Sequence, residues 1–185
     1  MEEYLDVCDL KGLPTGERVA RSEAHRLGIR HRTSHVWVIR RVPGSAVEIL
    51  MQKRSDCKDS FPGCFDTSSA GHIKAGDDPL ESALRELAEE LGISAAPDEL
   101  VWIGSFENQY AKSFRGILFR DNEYTNVYLY EKPVELEKLT PQESEVSAAE
   151  WFDLKKVYGE KLAKNELFCV PIESLRLLMD YLDVR

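Results

Sequence analysis

The sequence predicts an α/β fold in which one sheet is packed between helices. Three observations point to it. β-prone runs dominate the middle of the chain, helix-periodic runs punctuate it, and one of those helical runs carries both a start and a stop signal. The length of 185 residues suits one domain, and a hydrophobic fraction of 43% is enough for an ordinary globular core.

Residues 4–8 alternate in polarity and predict a strand. Gly12, Pro14 and Gly16 then mark a turn, and residues 18–20 return as a second strand. A polar stretch with His25 and His31 follows. Residues 36–42 and 47–52 are both β-prone, and Pro43, Gly44 and Ser45 between them predict a hairpin turn. Residues 53–63 form a polar loop rich in basic side chains, ending in Phe61-Pro62-Gly63. Residues 65–70 predict a short strand leading to Gly71.

The clearest helix is next. Leu80, Ala83, Leu84, Leu87 and Leu91 recur at helical spacing. Asp78 suits the N-cap, Pro79 the first helical position and Gly92 the C-terminal cap, while Glu81 completes a capping-box-like pattern. Residues 100–106, 125–130 and 148–152 predict strands. Residues 154–162 and 171–182 predict helices, the last with Ile172, Leu175, Leu178, Met179 and Leu182 on one face. The chain reads as a single domain over 1–185, with residues 1–33 a hairpin-like extension packed on it.

The formal net charge of -9 argues against a nucleic-acid or anionic-membrane partner, although a metal and a local basic patch still allow an anionic substrate. Cys8, Cys57, Cys64 and Cys169 have no zinc-like spacing and are expected to be reduced thiols of a cytoplasmic protein. The acidic start MEEYLDVCDL does not resemble a signal peptide, and no apolar run approaches the roughly 18–20 residues of a membrane span.

On the central helix Glu86, Glu89 and Glu90 lie three and four positions apart, opposite the leucines. Crowded carboxylates repel, and a hard divalent cation such as Mg2+ compensates them better than Arg85 alone. A solvated acidic face is the plain alternative. Two features weigh against it: the cluster sits in the second half of the helix, where the dipole disfavours negative charge, and a Gly-rich entry from Gly71 to Gly76 precedes the helix.

The run 71–93 resembles the Nudix box: Gly, five residues, Glu, seven residues, then Arg-Glu-apolar-x-Glu-Glu-x-Gly-apolar. Gly71, Arg85, Glu86, Leu87, Glu89, Glu90, Gly92 and Ile93 are in register. Asp77 stands where the family has Glu, keeping the charge at shorter reach. The resemblance implies a Nudix-type α/β/α sandwich with a mixed sheet, and Mg-dependent hydrolysis of a diphosphate linkage in a nucleoside diphosphate derivative or related organic diphosphate. It implies Glu86 and Glu90 as metal ligands, with Glu89 a ligand or the base, Arg85 part of the catalytic set, and Mn2+ as a substitute for Mg2+. The base can also come from a distant loop, where Glu145 is the candidate; a plain surface acid is the equal alternative there. Lys53, Arg54 and Lys58 are candidate phosphate contacts ahead of the box. The partner expected is a small-molecule diphosphate, bound by a monomer or homodimer.

A second resemblance covers more of the chain. Gln52-Lys53-Arg54, Lys58, Phe61-Pro62-Gly63 and Ser69-Ala70-Gly71-His72 look like type 1 isopentenyl-diphosphate isomerases, which share the fold. It implies that Arg54 and Lys58 contact a diphosphate and that His25 and His31 are similar to those enzymes' metal ligands. The isomerase chemistry needs a Cys at Ala70 and a Glu at the position aligned with Asn126, and neither is present. Hydrolysis is therefore expected, with isomerase-like activity on a prenyl diphosphate and a non-catalytic ligand sensor as alternatives. His25, His31 and His72 stay open between packing and ligation, His72 also as a phosphate contact. His35 reads as packed. Trp102 and Phe106 read as core, and Tyr110 and Phe114 as pocket residues in a polar loop.

Overall fold

The computed structural model describes residues 2–43 and 47–184. Of the expected turn, Gly44 and Ser45 lie outside the described residues. The strands flanking it, β3 (His31–Arg41) and β4 (Val47–Arg54), pair antiparallel as predicted. The first hairpin joins β1 (Tyr4–Cys8) to β2 (Pro14–Ala20), and α1 (Arg21–Leu27) follows it directly. The sequence gives α1 no apolar stripe: only Ala24 and His25 are buried, and its one clear mark is Gly28 closing it at φ 74°. Leu5, Val19 and Ala24 form a small core under this N-terminal unit.

After β4 come β5 (Phe65–Asp66) and β6 (Ser69–His72), two short strands where one was expected. Ser68 between them is buried, and its hydroxyl accepts from Val38 N at 2.8 Å. Then come α2 (Pro79–Leu91), β7 (Val101–Phe114), β8 (Ile117–Tyr130), β9 (Val146–Asp153), α3 (Leu154–Leu162) and α4 (Ile172–Tyr181). Among the described residues the main sheet has seven strands. Its order is β5-β4-β3-β8-β7, with β6 also on β3 and β9 also on β4. β3 and β8 run parallel and the remaining pairs antiparallel, so the sheet is mixed.

Strand alternation builds the layers. Val36, Val38 and Leu50 face α2, where they meet Ala83, Leu87 and Leu91. Trp37, Ile39, Ile49 and Met51 face the opposite way, onto Leu154 and Val157 of α3 and Leu175 and Leu178 of α4. The Trp37 indole N–H donates to Ser174 Oγ at 3.0 Å, so its burial leaves no orphaned donor. The result is the expected α/β/α sandwich. Among the described residues no helix is long and apolar enough to cross a membrane.

Two expectations are corrected. Tyr110 and Phe114 lie on β7 and not in a loop: β7 and β8 form a 14-residue-per-strand hairpin closed by Arg115 (φ 48°) and Gly116 (φ 82°), the positive-φ pair of a tight hairpin turn. Trp102 is 57% exposed, outside the core, beside a register shift between Trp102 and Gly104. Phe106 does pack against the core, partly buried.

Candidate active site

The site is built at one end of the sheet from α2, β3, β4, β6 and β8. Asp78 caps α2, accepting from Leu80 N at 2.8 Å and Glu81 N at 3.2 Å. Arg85 ties the incoming loop to the helix: it donates to Asp77 Oδ2 at 2.9 Å, the His72 carbonyl at 3.2 Å and Glu86 Oε1 at 3.1 Å. Asp77 thus reaches Arg85 despite its shorter chain. Gly71 is required by close approach, because a Cβ there would overlap the Glu86 side chain.

Glu86, Glu89 and Glu90 all line a cavity of about 300 Å3, with Arg21, Arg54, Lys58, His72, Lys74 and Glu145 among its other walls. Glu90 is 4% exposed and accepts from Ala70 N at 2.9 Å and Gln52 Nε2 at 3.1 Å. Burial pushes its carboxyl up to about 7. Burial also raises Glu86, against the pull of Arg85, while Glu89 is exposed. A buried carboxyl and a half-buried one, both raised by desolvation, beside a third on the same helix face, form an oxygen donor set suited to Mg2+ or Mn2+.

The cations are already engaged. Arg54 donates to Asp66 Oδ2 at 3.2 Å, to the Ser60 carbonyl at 3.0 Å and to Ser60 Oγ at 3.2 Å. Lys58 is ion-paired with Glu145, and Ser55 N donates to the Glu145 carbonyl at 2.9 Å, so the two loops meet over the cavity. Lys53 does not line the cavity: period-2 alternation on β4 sends it away from the face that Gln52 and Arg54 serve.

A second cluster adjoins the first. His25 Nε2 and His72 Nε2 are 3.4 Å apart, His25 Nε2 is 3.6 Å from Asp121 Oδ1, and His31 Nε2 is 3.9 Å from both Asp121 Oδ1 and Glu123 Oε1. His25 Nδ1 lies 2.9 Å from the Arg21 carbonyl and His31 Nδ1 lies 2.8 Å from that of Ile29. A carbonyl only accepts, so both rings carry their proton on Nδ1 and turn a bare Nε2 inward. Protonation does not relieve the crowding, since burial holds His25 down to about 3 and lowers His31 and His72. His31 Nε2 and Asp121 Oδ1 are buried without a hydrogen-bond partner. Burial raises Asp121 to about 6 and Glu123 well above the carboxylate range. This donor set fits a divalent ion that accepts both imidazole and carboxylate. Among the described residues the groups with ligand atoms within 4.8 Å of one another are His25, His31, His72 and His31, Asp121, Glu123; the α2 carboxylates are set farther apart.

Arg21, Asp121 and Glu123 escaped the sequence reading. The signal for the acids was present as Asp121-x-Glu123-x-Thr125, buried positions two apart on β8, but polar side chains on the inward face hide the usual alternation. Asn126, the position aligned with the isomerase Glu, does not line the cavity, whereas Glu123 does. Tyr110 lines the cavity as expected. Phe114 sits in an adjoining apolar groove with Phe119, which stacks on His25 at 4.2 Å between centroids.

Comparison with known proteins agrees with this geometry. The NUDIX domain family matches residues 30–169. Nudix hydrolase 3 of Arabidopsis thaliana is 40% identical over 174 residues, 93% of this chain and 22% of that protein, so the chain spans about a fifth of that relative. An uncharacterized Nudix hydrolase of Clostridium acetobutylicum is 41% identical over 147 residues, 78% of this chain and 67% of the other. An isopentenyl-diphosphate Delta-isomerase of Dinoroseobacter shibae is 28% identical over 154 residues, 81% and 79% of the two chains. Among solved structures, DR0079 from Deinococcus radiodurans superposes with a TM-score of 0.65 at 20% identity, covering 87% of this chain and 90% of that one. The NUDIX domain of Shewanella oneidensis NrtR, complexed with ADP ribose, gives 0.57 at 16%, covering 82% and 85%. With the box residues in register and three quarters of the chain matched, the protein belongs to the NUDIX domain family.

Proposed function

We propose that the protein is a Mg-dependent hydrolase of organic diphosphates. The observation that carries this reading is the convergence of Glu86, Glu89 and Glu90 with Arg54, Lys58 and Glu145 on one cavity. Glu86, Glu89 and Glu90 would hold the ion, Mg2+ or Mn2+, which when bound neutralises phosphate oxygens that otherwise repel the nucleophile. The His25, His31, His72, Asp121 and Glu123 cluster would hold a second cation. Arg54, fixed by Asp66 and Ser60, presents a rigid charge to a phosphate oxygen, and Lys58 a mobile one. Water attacks phosphorus, the P–O–P bond breaks and a carboxylate takes the proton. Glu145 suits that role if phosphate binding draws Lys58 away from it; Glu89 is the alternative.

A second reading, isomerisation of a prenyl diphosphate, is favoured by one observation: Glu123 supplies an inward carboxylate on β8. Ala70 opposes it, since an alanine neither gives nor takes a proton. The test is a screen of nucleotide sugars, dinucleoside polyphosphates, oxidised nucleotides and prenyl diphosphates in 18O-labelled water. Label in a phosphate product supports the hydrolase. Deuterium entering recovered isopentenyl diphosphate in D2O, with no phosphate released from any compound, overturns it in favour of the isomerase.

A further inference from the structure

Next to the catalytic cavity lies an apolar groove that the proposed reaction leaves unused. Its volume is about 410 Å3, and Phe114, Ile117, Leu118 and Phe119 of the β7–β8 hairpin form its apolar wall. Ile117 is 74% exposed and Leu118 44%, so the wall offers hydrocarbon surface to water. Arg21, His25 and Phe119 line both the groove and the catalytic cavity, so the two adjoin there.

One face of the hairpin carries the transition between them. Strand alternation puts Glu123, Asp121, Phe119 and Ile117 on the same face of β8, with their cross-strand partners Asn108, Tyr110, Lys112 and Phe114 beside them on β7. The face thus changes from carboxylate at the cavity end to aromatic and aliphatic at the turn. Lys112 does not interrupt it, because its ammonium lies over the rings of Phe61 at 5.0 Å and Phe114 at 5.8 Å. From Asp121 to Ile117 the face runs about 13 Å, at about 3.3 Å per residue.

We propose that the groove is the subsite for a linear hydrocarbon chain longer than five carbons, carried by a diphosphate monoester whose head group occupies the catalytic cavity. The polar side chains around the groove are committed within the protein. Ser22 Oγ donates to Glu2 at 2.7 Å, Arg26 donates to Glu23 at 3.0 Å, and Arg115 donates to the Asp56 carbonyl. Exposed Asp59 is left without a protein partner among the described residues, and one carboxylate does not supply the donors and acceptors that a base and a sugar need. A hydrocarbon chain needs none, and it takes Ile117, Leu118 and Phe119 out of water. Arg21 suits the head-group end of such a molecule: its Nε is buried with no hydrogen-bond partner among the described residues, and it meets Glu3 at 3.8 Å. A five-carbon chain does not span the distance from Asp121 to Ile117, so the groove selects for length.

This inference rests on the diphosphate site proposed above, and the test separates the two. Alkyl monoesters of methylenediphosphonate with five, ten and fifteen carbons have a P–C–P bridge that water does not cleave. They are titrated by calorimetry into the magnesium-loaded full chain, wild type and the Ile117→Ser, Leu118→Ser double variant. Burying a methylene is worth about fourfold in affinity, so partial burial of the added carbons tightens wild-type binding by about tenfold or more between the five- and ten-carbon esters. The variant binds the five-carbon ester as wild type does and loses that gain. A gain equal in both proteins, or no gain with length, overturns the groove as the chain subsite. So does a variant that weakens α,β-methylene-ADP as much as the ten-carbon ester, which makes the occupant a base. A wild-type dimer in sedimentation that the variant lacks also overturns it, since the occupant is then a second copy of this chain. Length-dependent binding with no phosphate released from the matching diphosphates counts against the hydrolase and leaves the groove standing. Failure of every ester, the five-carbon one included, counts against the diphosphate site and overturns the groove with it.

Discussion

Glu90 shows how burial and charge are set against each other at this site. Its carboxyl is enclosed by Gln52 and Ala70 and pushed up to about 7 from an ordinary 4.5, so the folded chain holds that proton more tightly than the unfolded chain does. Between pH 4.5 and 7 the metal-free protein therefore loses stability from this group as pH rises. Glu90→Gln removes the titration. Urea unfolding across that range is expected to show the variant gaining on wild type with rising pH, and Mg2+ restoring the wild type alone. Parallel pH profiles for the two proteins would contradict it. Gly71 is the other sharply defined residue. Gly71→Ala forces the Glu86 side chain aside, with an expected loss of about 1–3 kcal/mol in stability and a rise in the Mg2+ concentration needed for activity. That Glu86, Glu89 and Glu90 share a face was legible from spacing, since carboxylates at helical intervals do so in any helix, while their expected role came from the resemblance to the Nudix box. Asp121 and Glu123 were not, because their partners His25 and His31 are distant in sequence and only the fold brings them together.

At the scale of the element, α2 is a helix whose two faces do different work. Ala83, Leu87 and Leu91 anchor one face in the core, which holds the carboxylates of the other at fixed positions. Leu87 is 0% exposed, so Leu87→Ala is expected to cost about 2–5 kcal/mol in chemical denaturation. Asp78→Ala removes the cap and is expected to cost about 0.5–2 kcal/mol. A loss below half a kilocalorie at Leu87 would mean the helix is not core-anchored. The sequence announced α2 so clearly because cap, stop and periodicity coincide there. β7 and β8 were legible at 100–106 and 125–130, but the hairpin that joins them was not: its outer halves carry Lys112, Arg120, Asp121 and Glu123, and the turn Arg115-Gly116 has one charged member. α1 is too short for a periodic stripe.

Across the whole molecule the two donor clusters meet at the end of one sheet, where β3, β6 and β8 leave inward positions to polar side chains. The net charge is -9, and the cavity sets Arg21, Arg54, Lys58 and Lys74 among a larger number of carboxyl groups, so an anionic substrate needs bound cations as well as these side chains to find a favourable field. The nitrogen-rich cluster is expected to stabilise the fold when filled: Mn2+ or Zn2+ added to chelator-treated protein should raise Tm, and His31→Ala should abolish that rise. An equal rise in the variant would place the ion elsewhere. The sandwich itself was legible, because the alternation of Val36 and Val38 against Trp37 and Ile39 already encodes two buried faces.

The central claim is that the α2 carboxylates hold the cation that makes a diphosphate reactive. The most direct measurement is the rate of phosphate release against Mg2+ concentration, for wild type, Glu90→Gln and Leu84→Met as a neighbouring control. Saturable dependence on Mg2+ is predicted for wild type and the control, with the Glu90→Gln rate down by about 100-fold or more at every concentration. Full activity of Glu90→Gln, or wild-type activity unaffected by chelation, would contradict the account.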